Sequence, residues 1–185
     1  MQLTSDPVIA WIAAATLALV LLVGAAGKLA SFEFFEATMA EYRLIPTALA
    51  NGLVLRASAA TLIAAELICA GLLLYGPVRS DGASLTLALL ALVTAAVIIN
   101  LLRGRRDIRC GCGGPEHAQT LSWGLVFRNL VLAAAALIAL LPPTERALHW
   151  LDLLSIIGGT LAAGGLYFAA NQLLANHPHL DALRS

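Results

Sequence analysis

Cys110 and Cys112 stand one residue apart in the longest polar interval of an otherwise apolar chain. Two thiols at this spacing can close a small disulfide ring. Such a ring is tight, stores strain and is reducible rather than structural. Gly111 relieves steric conflict between them, and Gly113 and Gly114 let the backbone bend. Arg106 and Arg109 lie close in sequence, and their charge favours thiolate, the reactive form. The same thiols could instead hold a soft ion such as Cu(I) or Hg(II), with His117 as a third ligand. The spacing is not a usual zinc pattern, in which two to four residues separate the cysteines and a fourth ligand completes the tetrahedron. Redox exchange and soft-metal binding both remain open at this point.

The elements that must position these thiols are membrane helices. Of 185 residues, 60% are hydrophobic and 12% charged, against about 45–50% and about 25% in a soluble domain. Mean hydropathy is +0.87. The length suits one transmembrane helical bundle over residues 1–185. A formal net charge of zero gives no electrostatic case for nucleic acid, and three cysteines are too few for a disulfide scaffold.

Apolar runs place spans at about 8–27, 53–75, 83–102, 124–141 and 151–174, each near the roughly 20 residues a bilayer needs. Asp6-Pro7 reads as the first helix start. The N-terminus lacks the basic region of a signal peptide, so the first run reads as a retained span. Residues 31–43 mix Phe32, Phe34 and Phe35 with Glu33, Glu36 and Glu41, the pattern of a short amphipathic helix in the interface. Gly76 to Gly82 reads as a polar turn. Gly158, Gly159, Ala162, Ala163, Gly164 and Gly165 suit close helix packing. The tail from Asn176 reads as polar and exposed. Residues 103–122 form the cysteine loop.

Five spans put Lys28, Arg43, Arg56, Arg103, Arg105, Arg106, Arg109, Arg128 and Arg184 on one face, and Arg79 and Arg146 on the other. The positive-inside rule then places the cysteine loop in the cytoplasm and the N-terminus outside. Polar residues converge beneath that loop: Arg56, Asn100, Arg128 and Asn129. Glu66 lies deeper, roughly 15 Å beyond Arg56 along its helix. A carboxylate at that depth must face the interior, protonated or paired, and Arg128 is the expected partner. Lys28 reads as a snorkelling residue. Cys69, about a turn past Glu66, reads as a small buried hydrophobe, with a redox relay to Cys110 or Cys112 as the sharper alternative.

Gly27-Lys28-Leu29, Tyr42-Arg43-Leu44-Ile45-Pro46, Glu66, Cys110-Gly111-Cys112 and Arg128-Asn129 together resemble the methylamine-utilisation MauE family, related to DoxX-like membrane proteins. The resemblance runs from the first span to the fourth. It departs where the family often reads Cys-x-Cys-Phe-Gly, since Gly113 stands here at the Phe position. The resemblance implies a four- to five-helix, all-α protein of the bacterial inner membrane handling thiol–disulfide chemistry. Its implied partners are membrane lipid and a thioredoxin-like protein that serves extracytoplasmic clients; a homo-oligomer is left open. Cys110 and Cys112 would form the redox pair, assisted by Arg109. Glu66, Arg128 and Asn129 would form a polar cluster that moves protons or binds a quinone headgroup; no other cofactor is implied. A cytoplasmic dithiol cannot meet an extracytoplasmic client directly. The thiols then move within the bundle, or electrons pass to a second thiol or a quinone, or the orientation is reversed. A soft-metal protein and a non-catalytic scaffold are the competing readings.

Overall fold

A computed structural model describes residues 4–44, 51–108, 110, 119–144 and 146–182, with backbone only from 176 onward. Arg109, Gly111, Cys112, Gly113, Gly114 and His117 lie outside the described residues, as do Ile45, Pro46 and Arg184.

The described residues form six α-helices: α1 (Pro7–Ala30), α2 (Phe32–Glu41), α3 (Gly52–Leu74), α4 (Arg79–Leu102), α5 (Trp123–Leu140) and α6 (Trp150–Ala182). All but α2 contain a stretch long and apolar enough to cross a membrane. This is an all-α integral membrane protein. Helices are the natural solution because each satisfies its own backbone groups where no water is present.

The helix starts follow local chemistry. Asp6 caps α1 by accepting from the Val8 amide at 2.8 Å, with Pro7 in the first turn. Asn51 caps α3 through the Val54 amide at 2.8 Å. The end of α4 is set by Gly104, whose φ of +73° only glycine adopts readily. There the Arg105 amide donates to Asn100 O and the Gly104 amide to Leu101 O, closing a Schellman turn.

Two boundaries differ from the sequence expectation. The third span begins at Arg79 rather than 83, because Gly76–Val78 winds a 3-10 turn that feeds straight into α4. The last span, expected to end near 174, continues as helix α6 to Ala182.

Helix α1 is the hub, packing on α3, α5 and α6, while α4 closes the bundle between α3 and α5. The main core joins Leu17, Leu21, Ala70, Leu73, Leu132 and Ala136. The α3–α4 turn is tight: a Cβ on Gly82 would lie 2.7 Å from the Leu73 nitrogen. On α6, added Cβ atoms at Gly159 and Gly164 would meet Ile12 and Leu19 of α1 at 2.6 and 2.9 Å. Two of the small residues expected to pack therefore do so; a Cβ on Gly158 or Gly165 would meet nothing within 4 Å. Amphipathic α2 buries Phe35 and Thr38 and exposes Glu33.

Candidate functional site

The described part of the cysteine loop is pinned at its base. The Cys110 amide donates to Gln119 O at 2.6 Å, and the Leu121 amide to Ile108 O at 3.0 Å. Cys110 is only 4% exposed, packed in an apolar cluster with Val97, Leu101, Ile108, Leu121, Leu125 and Val126. The loop is thus anchored where α4 ends and α5 begins.

A polar chain runs from this anchor into the bundle. Gln119 Nε2 donates to Asn171 O at 2.7 Å. Arg128 Nη1 donates to Asn171 Oδ1 at 2.7 Å. Arg128 also contacts Asn129 Oδ1 through Nε and Nη2 at 3.4 and 3.3 Å. Asn129 Nδ2 then donates to Thr94 Oγ1 at 3.1 Å. The guanidinium lies 5.9 Å from the Tyr167 ring centre, within cation–π range. Three helices, α4, α5 and α6, hold this network. Asn100, fully buried, donates to Ala96 O and accepts from Arg105 at 3.2 Å.

Glu66 belongs to a different group. Lys28 Nζ donates to both of its carboxylate oxygens, at 2.6 and 2.7 Å. The two side chains are 6% and 9% exposed. This corrects two expectations: Lys28 does not snorkel, and it takes the place at Glu66 that Arg128 was expected to fill. The reason is directional. Helical side chains tilt back toward the N-terminus, so the Lys28 stem folds inward along α1. Its ammonium passes over Gly24, where an added Cβ would sit 3.6 Å away. Phe35 of α2 covers it, with 5.6 Å between Nζ and the ring centre. The expected single cluster of Glu66, Arg128 and Asn129 is therefore two: an ion pair between α1 and α3, and an amide–guanidinium network on α4, α5 and α6.

Beside the ion pair is a cavity of about 300 Å³. Its lining is mostly apolar and comes from α2, α3 and α4, with Lys28 and Glu66 at its polar end. Tyr42 lines it and also packs against the cluster that contains Cys110.

Cys69 is buried on the main core, with its thiol beside the Thr86 hydroxyl. Cys110 packs at the level of Val97 and Leu101 on the same helix α4. By helical rise those levels differ by roughly 16–22 Å. A disulfide needs Cα atoms about 4.4–6.8 Å apart, so a direct Cys69–Cys110 bond is out of reach in this fold. Among the described residues no three metal-ligating side chains gather; the expected Cys112 and His117 ligands lie outside those residues.

Asn171, Gln119 and Thr94 were not legible as site residues. Gln119 and Asn171 sit in polar stretches that look like ordinary loop and helix end, and Thr94 is one hydroxyl in an apolar span. The opposite end of the bundle carries Arg146, which bonds Asp152 and Asp6; its pKa is raised above the usual arginine value chiefly by the Asp152 hydrogen bond.

The family model described as "Methylamine utilisation protein MauE" matches residues 6–142. The chain is 35% identical to the methylamine utilization protein MauE of Paracoccus versutus, over 99% of this chain and 98% of that one. It is 37% identical to the protein of the same description from Paracoccus denitrificans, over 71% and 68% of the two chains. Against that of Methylorubrum extorquens the identity is 38%, over 89% and 92%. No solved structure matches this chain. With the family model matched over residues 6–142 and similarity to a relative along nearly the whole of both chains, the chain belongs to the MauE family of methylamine utilisation proteins.

Proposed function

We propose that this protein is a membrane thiol–disulfide oxidoreductase, in which Cys110 and Cys112 exchange electrons with a thioredoxin-like partner. The relatives' name carries methylamine utilisation to it as the setting of that chemistry. The placement of Cys110 carries the reading. It sits at the pinned base of a short loop, and hydrogen bonds link that base to the buried Arg128–Asn129 network. Two residues of chain reach at most about 7 Å, so a modest bend at Gly111 suffices for Cys112 to pair with it.

Cys110 is shielded, which leaves Cys112 as the point of attack in this reading. A partner thiolate attacks Cys112 of the ring and Cys110 leaves as a thiol; the partner's second thiol then displaces Cys112 and closes the partner's own disulfide. In this direction two electrons leave the partner's dithiol and reduce the Cys110–Cys112 disulfide. Arg109 favours the thiolate. Arg128 and Asn129 brace the loop from below. On the charge asymmetry of the spans the loop faces the cytoplasm, and the family resemblance makes the membrane the bacterial inner membrane.

The test is exchange with a thioredoxin-like protein by purified protein in detergent. Cys110→Ser and Cys112→Ser are each expected to abolish turnover, and only Cys110→Ser is expected to trap a mixed disulfide. Full exchange in either variant would sink the reading. Stoichiometric Cu(I) or Hg(II) binding that needs Cys110 and Cys112, with no exchange, would replace it by soft-metal binding, His117 included.

A further inference from the structure

We propose that the cavity beside Lys28 and Glu66 is a binding site for a membrane-soluble quinone, the two-electron partner of the cysteine pair. The electron coupling rests on the thiol reading; the binding site does not.

Four observations carry it. The cavity of about 300 Å³ is walled mainly by apolar side chains, among them Phe35, Met39, Leu62 and Ala96. That volume is at the small end of ligand pockets, enough for a ring and the start of a tail. Its lining residues Leu44, Leu92 and Ile99 are also exposed on the outer surface, so it opens sideways between α2 and α4, toward lipid rather than water. At its inner end a buried ammonium sits against a carboxylate at 2.6 Å. Ionisable groups at such depth mark functional sites, and a buried pair is poor evidence of a stability role. Lys28 supplies a donor for a ring carbonyl, while Phe35 and Tyr42 offer faces for the ring. Finally, Tyr42 lines this cavity and also packs against the apolar cluster that includes Cys110, which makes the cavity and the base of the cysteine loop neighbours.

The reaction balances. The Cys110–Cys112 dithiol loses two S–H bonds and gains one S–S bond. Two electrons and two protons pass to the quinone, whose two carbonyl oxygens become hydroxyls. The site differs from the expected quinone cluster, because Arg128 and Asn129 belong to the network on the far side of α4.

The experiment is calorimetric titration of the full-length protein in detergent with decylubiquinone. Saturable binding is expected. Ala96→Phe, which adds a ring to the cavity wall while keeping Lys28 and Glu66, is expected to weaken it at least tenfold. Leu161→Phe on the exposed face of α6 is expected to leave it unchanged. A photoreactive azidoquinone, used on the unaltered protein, is expected to label α2 and residues 92–99 of α4. Absent saturable binding, unchanged binding in Ala96→Phe, or label confined to α5 and α6 would overturn the proposal. So would equal competition by phospholipid, which would make the cavity a seat for acyl chains. Cys110→Ser is expected to keep quinone binding, so failure of thiol exchange with binding intact removes the dithiol reading alone.

Discussion

At the residue scale, the buried Lys28–Glu66 pair is where a single substitution acts most strongly. Both groups are almost fully enclosed. Removing one leaves an uncompensated charge, at a cost of about 3–5 kcal/mol, whereas replacing both by apolar groups is often near neutral. Glu66→Leu is therefore expected to lower the thermal midpoint in detergent steeply, and Lys28→Met with Glu66→Leu to recover most of it. An equal loss in the double variant would contradict the pairing. Gln119 acts at the same scale: its backbone carbonyl accepts from the Cys110 amide, and its side chain ties that segment to α6 by donating to the Asn171 carbonyl, the bond an alanine removes. Gln119→Ala is expected to speed maleimide labelling of reduced Cys110 severalfold while leaving the helices folded. Unchanged labelling would mean that the apolar cluster alone shields the thiol.

At the element scale, the bundle depends on close approaches. Gly82 faces the backbone of Leu72 and Leu73, so its Cβ cannot be accommodated by rotating a side chain. Gly82→Ala must push α4 from α3, and overpacking of this kind typically costs about 1–3 kcal/mol. Gly71→Ala, at a position with nothing within 4 Å of the added carbon, is the matched control and is expected to be neutral. The comparison is a pair of thermal unfolding curves, and equal midpoints would refute the tight crossing. Gly159 behaves differently, because its neighbour is the flexible end of Ile12; a small shift of that side chain absorbs an alanine.

At the scale of the whole molecule, the bundle has two unlike ends. One gathers Asp6, Arg146 and Asp152, with the Ser5 amide bonded to Pro142 O. The other gathers α2, the Arg103–Arg106 stretch and the cysteine loop, where Arg103 reaches the Arg43 carbonyl at 3.5 Å. That second end carries most of the cationic residues, so it is expected to face the cytoplasm. Membrane-impermeant maleimide applied to right-side-out and inverted vesicles after reduction checks this. Labelling of Cys112 only in inverted vesicles is the expected result; labelling only in right-side-out vesicles would reverse the orientation.

Composition and hydropathy were enough for the all-helical class, the five spans and the amphipathic α2, because each is a local property of a run of residues. The caps at Asp6 and Gly104 are local as well, set by one side chain or one φ angle. Family membership was also legible, in short motifs spaced along the chain. What only the tertiary structure decided was pairing. Sequence spacing places Glu66, Lys28, Arg56, Arg128 and Asn129 near one face, yet cannot say which helices are neighbours. Packing of α3 on α1 and of α4 on α5 gave Glu66 to Lys28 and Asn129 to Thr94. The same packing left the cavity beside the ion pair and set Cys69 and Cys110 at different depths. Those outcomes depend on interhelical contacts between residues far apart in the chain, and no local pattern encodes them.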